Sequence, residues 1–339
     1  MEQRREAQKG NKQDSAGRCR AGGNRAETAL LRHGRFRLLV QAFWFALTNG
    51  YVRGFMQGRI YTGELKKLCV PGLNCYSCPG AYFSCPIGSL QAVLDSGKYR
   101  FSLYVLGMMT AFGVLLGRFV CGWLCPFGLV QDLLYKIPLP GQKRDGGNRS
   151  RTARLFRKEK NMPGHRVLIF LKYGVLLFFV ILLPMMVKGI AGTGAPWFCK
   201  YICPSGTLFA GLPLISAAPA LQSALGALFS WKLFVLLLIL LLAVKYYRPF
   251  CKYLCPLGAF YGFFNRFAFL RLSVDEDKCI HCGKCRAVCG MDIRVWKSPN
   301  SMECIRCGDC RAVCPAGAIS TPLDSLKQRC ANRGQQISR

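Results

Sequence analysis

Four apolar stretches dominate the chain, each long enough to cross a bilayer of ~30 Å, which takes about 20 mostly apolar residues. They run from about Phe36 to Phe55, from Phe101 to Val120, from Val167 to Ile190 and from about Leu228 to Tyr247. The first has no charge between Arg37 and Arg53, and the second none before Arg118. The third contains Lys172 and Lys188, and Lys232 and Lys245 flank the leucine-rich fourth. Flanking lysines can snorkel to an interface, and Tyr246–Tyr247 fits an aromatic belt. A soluble protein could cover one or two such helices, but four in 339 residues would leave too much apolar surface in water.

Charge orients these segments. The formal net charge is +31, and it is unevenly placed. Residues 1–37 hold 10 positive and 4 negative charges, residues 136–172 hold 11 and 2, and residues 266–339 hold 13 and 7. By contrast, residues 58–98 hold 4 and 2, and residues 189–231 hold only Lys200. The positive-inside rule puts both termini and the middle linker in the cytoplasm, so a multi-pass protein of the cytoplasmic (inner) membrane is expected. Residues 1–35 read as a basic disordered arm without a signal peptide, 136–166 as a basic cytoplasmic linker and 323–339 as a disordered tail. Membrane lipid is the expected partner of the basic segments. Nucleic acid is not, because the basic runs lack interleaved aromatics and a reading module.

Residues 271–322 carry the most specific chemistry. Cys279, Cys282, Cys285 and Cys289 fall at CxxCxxCxxxC, and Cys304, Cys307, Cys310 and Cys314 repeat that spacing. Three thiolates on a tight loop can each bind one iron of a cubane, and in two-cluster ferredoxins the fourth cysteine serves the other cluster. One [4Fe-4S] cluster is therefore expected on Cys279, Cys282, Cys285 and Cys314. The second is expected on Cys304, Cys307, Cys310 and Cys289. Zinc would need each four-thiolate set around one ion, usually with a longer spacer. The first motif ends in Gly290 where proline is usual, and His281 reads as a solvent-facing loop residue.

The apolar part contains a repeat. Cys85, Cys125, Cys203 and Cys255 each begin Cys-Pro-x-Gly, and three of them follow another cysteine by four residues, at Cys121, Cys199 and Cys251. Each half (36–135 and 167–270) thus reads span, Cys-Pro element, span, Cys-Pro element, a duplicated two-span unit. Cysteines at i and i+4 can share one helix face or compact turn. Cys121, Cys125, Cys251 and Cys255 then form an inner-face set of four ligands. The outer face offers Cys199 and Cys203 opposite Cys75, Cys78 and Cys85, with Cys69 in reserve, and a Cys69–Cys75 disulfide is an alternative there. Cys19 and Cys330 fit no pattern. With only His33, His165 and His281, none in a span, intramembrane bis-histidine haem is excluded, and no dinucleotide or phosphate-loop motif is present.

Residues 36–320 resemble the NapH-type membrane polyferredoxins, related to the ferredoxin-like parts of NosR and CcoG. The resemblance rests on Cys121-Gly-Trp-Leu-Cys-Pro-Phe-Gly, Cys251-Lys-Tyr-Leu-Cys-Pro-Leu-Gly and the tandem ferredoxin motifs. It implies electron transfer at the cytoplasmic membrane, often between quinol and a reductase partner, as a quinol dehydrogenase-like component. The expected architecture is a mainly α membrane protein of four transmembrane helices with a small α+β two-cluster ferredoxin-like domain. It would carry two tail [4Fe-4S] clusters and one or two more at the Cys-Pro elements. It would relay electrons between a soluble cytoplasmic carrier and the quinone pool, or a reductase subunit at the membrane or its outer face. Two other uses of the CxxxCP cysteines stay open: reduction of copper or thiols in assembly and maintenance, and redox sensing.

Overall fold

A computed structural model describes residues 23–95, 103–137, 161–187, 196–217 and 226–324. Cys19, Cys330 and most of the arm, linker and tail named above lie outside the described residues. The chain is mostly helical, and four long helices alternate in direction relative to the cysteine-rich tail. Gly23–Thr48 begins beside the tail, where His33 Nε2 lies 2.7 Å from the Cys307 carbonyl oxygen, and ends against the loop at Tyr82. Leu103–Leu116 ends beside the tail, with its last carbonyl accepting from Arg306 Nη1 at 3.0 Å. His165–Met186 starts there, where Lys172 pairs with Glu303. Ala227–Lys245 starts at the far end, where Trp231 Nε1 donates to the Tyr201 carbonyl, and returns to the tail side.

Two of these helices, His165–Met186 and Ala227–Lys245, are long and apolar enough to cross a membrane. Only 22% and 17% of their most apolar windows are buried, whereas a soluble core helix would be mostly covered. Leu103–Leu116 is apolar and runs for 14 residues among the described ones. The first helix departs from expectation at both ends: residues 23–35, assigned above to a disordered arm, are helical, and the helix stops at Thr48 rather than near Phe55. Tertiary contacts explain the early start, because Arg37 bridges Asp132 and Asp309 at 3.2 Å each. Lys172, inside the third apolar stretch, is fully buried against Glu303.

Pro184 and Pro213 leave the same mark. Wider i→i+5 turns occupy Leu176–Leu182 and Thr207–Gly211, each ending two residues before a proline. A proline cannot donate to the preceding turn, so the helix widens to re-register its carbonyls.

Each Cys-Pro dipeptide starts a short helix: Pro86–Asp95, Pro126–Tyr135, residues 204–217 and Pro256–Phe264. Proline is suited to the first helical position, where no N–H is needed. Cys125, Cys203 and Cys255 precede it in extended conformation, with ψ of 118°, 107° and 111°. Of the two arrangements expected for CxxxC, one helix face or one compact turn, the single helix face does not form. Cys121, Cys199 and Cys251 belong to separate five-residue helices, Phe119–Trp123, Trp197–Tyr201 and Pro249–Tyr253, which end before the second cysteine.

The tail is a small α+β unit. Ser273–Val274 pairs antiparallel with Ile319–Ser320, and the helices Lys284–Val288 and Asp309–Ala312 face each other. Both cysteine loops make the same turn. His281 and Arg306 occupy equivalent positions at φ 51° and 52°, and Gly283 and Gly308 follow at 72° and 84°.

Candidate iron–sulfur sites

The tail cysteines line two cavities. One is lined by Cys279, Cys282, Cys285 and Cys314. The other is lined by Cys289, Cys304, Cys307 and Cys310. The fourth cysteine of each motif thus crosses to the other nest, the grouping expected from the spacing. Four thiols per cavity, drawn from two motifs of ferredoxin spacing, are a donor set that fits an iron–sulfur cluster. Burial pushes the thiols of Cys304, Cys307 and Cys310 above their ordinary values, so iron binding there displaces protons. His281 is exposed, as expected, although it lines the first cavity.

The second nest is docked on the helical part. The backbone between Cys121 and Cys125 presses on the backbone between Cys304 and Cys307, and a Cβ on Gly122 would collide with the Ile305 carbonyl oxygen. Trp123 Nε1 donates to the Arg306 carbonyl at 3.1 Å, and Gln41 Nε2 donates to the Gly122 carbonyl at 2.8 Å. Gly290 is explained by the same contact surface. A Cβ there would lie 2.5 Å from the Tyr247 ring, so the proline usual in such motifs has no room. Burial is needed for this interface to exclude water, and Gly122→Val should open it. We expect that variant to keep tail iron but to expose the second nest, read as faster bleaching of its absorbance by a hydrophilic chelator.

Cys121, Cys125, Cys251 and Cys255 come together as a buried quartet nearest the tail. Cys255 interacts electrostatically with the other three, and Cys121 with Cys251. Two arginines lock the halves by a pseudo-symmetric exchange. Arg118, three residues before Cys121, donates to the Cys251 carbonyl at 3.2 Å. Arg248, three residues before Cys251, donates to the Cys121 carbonyl at 2.6 Å. Both guanidiniums are fully buried; Glu303 answers the first and Asp132 the second. Burial opposes ionisation of Glu303, but Arg118 and Lys172 outweigh it and hold the carboxyl below its ordinary value. Arg118 Nε is buried with no hydrogen-bond partner, a donor left for an acceptor the protein does not supply.

The Cys-Pro-x-Gly pattern has a physical reason. Cys255 caps its helix, and its Sγ accepts from the Gly258 N–H at 3.4 Å. The glycine N–H groups of Gly88, Gly128 and Gly206 interact in the same way with Cys85, Cys125 and Cys203. A helix N-terminus favours negative charge, so it suits a thiolate bound to metal.

Four of the six remaining described cysteines of the helical part form a second quartet, distal to the tail. Cys199 interacts with Cys203, Cys85 and Cys75, and Cys203 with Cys75 and Cys85. Of the expected outer candidates, Cys78 sits in a small core with Ala81 and Ala210, against which Cys75 also packs. Cys69 hydrogen-bonds Ser89 Oγ at 3.3 Å, and both Cys69 and Cys75 are free thiols, so no disulfide joins them. One loop touches both quartets. The loop through Val70, Pro71, Gly72, Leu73 and Asn74 is buried, and the successive N–H groups of Leu73 and Asn74 interact with Cys125 and Cys85.

Similarity to known proteins agrees with this donor chemistry. Residues 101–145, 173–216 and 227–273 match one family described as a 4Fe-4S binding domain, and residues 272–294 and 298–320 match another. The uncharacterized protein MJ0749 of Methanocaldococcus jannaschii is 30% identical over 64% of this chain and 68% of its own length. The ferredoxin-type protein NapH of Haemophilus influenzae is 29% identical over 56% of this chain and 52% of its own. The chain belongs to the NapH-type polyferredoxin family. The methylamine utilization ferredoxin-type protein MauN of Paracoccus denitrificans is 29% identical over 51% of this chain and 48% of its own length. The chain therefore spans about half the length of those two named relatives. No solved structure matches. As a member of this family it is a ferredoxin-type 4Fe-4S electron-transfer protein.

Several working residues of this polyferredoxin escaped the reading of its sequence. Gln91 and Gln131 each stand six residues after a Cys-Pro cysteine, giving CPxGxxQ in the first two elements. Arg118 and Arg248 each stand three residues before a CxxxCP pair, a second readable signal. The Leu73–Asn74 bridge had none, because nothing in an irregular loop announces which N–H groups it aims inward.

Proposed function

We propose that this protein spans the cytoplasmic membrane four times with both termini and the tail inside, and relays electrons between a soluble cytoplasmic carrier and the quinone pool or a reductase subunit. In this reading it holds the two tail clusters and at least one more, on Cys121, Cys125, Cys251 and Cys255. The observation that carries it is the backbone contact of Gly122 with Ile305, which seats the second tail nest against that quartet. When bound, the clusters supply one-electron exchange without proton transfer. The alternating direction of the four long helices supports the topology, and the exposed apolar faces of His165–Met186 and Ala227–Lys245 support the lipid environment.

The chain's own residues do the rest. Cys282 is exposed, which leaves the first tail nest open to a soluble carrier, while Cys310 is buried in the second. Arg118 and Arg248 offset the negative charge that four thiolates bring into a low-dielectric site, where an unpaired charge would be costly. Trp123 and Tyr247 close the interface between tail and helices against water.

The test is a double variant, Cys121→Ser with Cys251→Ser, purified without oxygen. About four irons per chain should be lost while the tail cluster signals remain. Unchanged iron would show that the quartet holds no cluster and would overturn this reading.

A further inference from the structure

The distal quartet is built on the plan of the proximal one. In the proximal nest, Gln131 Nε2 donates to Cys251 Sγ at 3.1 Å while its Oε1 accepts from the Phe250 N–H at 3.2 Å. In the distal nest, Gln91 Nε2 donates to Cys199 Sγ at 3.5 Å while its Oε1 accepts from the Phe198 N–H at 3.1 Å. Both glutamines are fully buried, and each also meets the carbonyl four residues back at 3.4 Å. A glutamine whose two ends are fixed this way holds the cysteine's sulfur and the preceding peptide as one unit. Such a device is unnecessary for a cysteine that merely fills space.

Other features of the distal site fit a ligand. Ideal Cβ atoms on Gly88 and Gly206 would lie 3.9 Å from Cys199 Sγ and 3.6 Å from Cys75 Sγ, so these glycines face the nest. Ser205, beside Cys203, is 1% exposed, and its hydroxyl has no hydrogen-bond partner. The indole N–H of Trp197, two residues before Cys199, is likewise buried and unpartnered. Lys232 interacts with Cys75 and Cys203 and supplies positive charge. A buried polar group without a partner is costly, so two such donors on the segment that carries Cys199 and Cys203 point to a missing acceptor.

We propose that Cys75, Cys85, Cys199 and Cys203 bind a further iron–sulfur cluster, linked to the proximal nest through the Leu73–Asn74 peptide. This rests on the electron-transfer reading and extends it toward the far side. Two sulfur contacts and one peptide step put Cys85 and Cys125 on the order of 10 Å apart, well under the ~30 Å of a hydrocarbon core. Tyr261 braces the link. It is fully buried, donates to the Pro71 carbonyl at 3.1 Å, and interacts with Cys121, Cys125, Cys85 and Cys69.

The experiment is iron analysis with low-temperature EPR on the intact, anaerobically purified protein. Cys199→Ser with Cys203→Ser should lose about four irons per chain, and Cys78→Ser should lose none. The tail cluster signals serve as the internal measure of folding, and Cys85→Ser provides a second variant. Full iron in both distal variants would overturn the proposal. Loss in the Cys121/Cys251 variant with none in the distal ones would leave the proposed function standing and this extension wrong. No loss in either would contradict both. A reduced wild-type protein should also show magnetic broadening between proximal and distal clusters that the distal variants remove.

Discussion

Cys289→Ser is expected to disrupt the nest of the other motif. The variant should lose the cluster of Cys304, Cys307 and Cys310, about four irons, and retain the one on Cys279, Cys282, Cys285 and Cys314. In sequence Cys289 closes the first motif, but in space it lines the second cavity, and the Ile293 N–H donates to its Sγ at 3.5 Å. The consequence for function should be large, because the second nest is the one seated against the helical quartet. Reduction of the helical clusters by a soluble donor should fall by at least about tenfold, with tail-cluster reduction itself preserved. EPR of the reduced variant separates these outcomes. Loss of the exposed cluster at Cys282 instead would mean that each motif builds its own nest and that the crossed grouping is wrong.

Asp132→Ala should be the most damaging substitution outside the cysteines. Asp132 is 3% exposed and receives Arg248 through Nε at 2.7 Å and Nη2 at 2.5 Å, with Arg37 Nη2 at 3.2 Å. Removing the carboxylate leaves the fully buried Arg248 without its countercharge, a change that costs about 3–5 kcal/mol. Total stabilities are about 5–15 kcal/mol, so folded yield in detergent should drop sharply. Adding Arg248→Met should recover part of that loss, since no buried charge then remains unanswered, although the bond to the Cys121 carbonyl is lost. An unchanged unfolding midpoint for the single variant would contradict the assigned role.

The tail and the four Cys-Pro elements could be read from the sequence because their chemistry is local. CxxCxxCxxxC forces three thiols onto one turn, and the identical left-handed positions of His281 and Arg306 show both copies folding alike. The grouping of helical cysteines across the two halves followed from the repeat, and the proximal quartet assembles as that repeat implies. Three features lay beyond local pattern. The helical start at residues 23–35 depends on Arg37 meeting Asp132 and Asp309, which are distant in sequence. The choice of Cys75 and Cys85 over Cys69 and Cys78 depends on the path of a loop fixed by backbone contacts such as Val70 N–H to the Ser84 carbonyl at 3.1 Å. The nearness of the two quartets depends on that same loop re-entering the helical core, whereas charge counting could only assign its ends to a side.

The iron content of the intact protein, determined with Mössbauer and EPR spectra that count cluster types, is the decisive measurement. At least about twelve irons per chain are expected, all in cubane clusters, with about sixteen when the distal nest is filled. About eight irons, confined to two ferredoxin-type signals, would contradict that expectation and leave the helical cysteines as thiols.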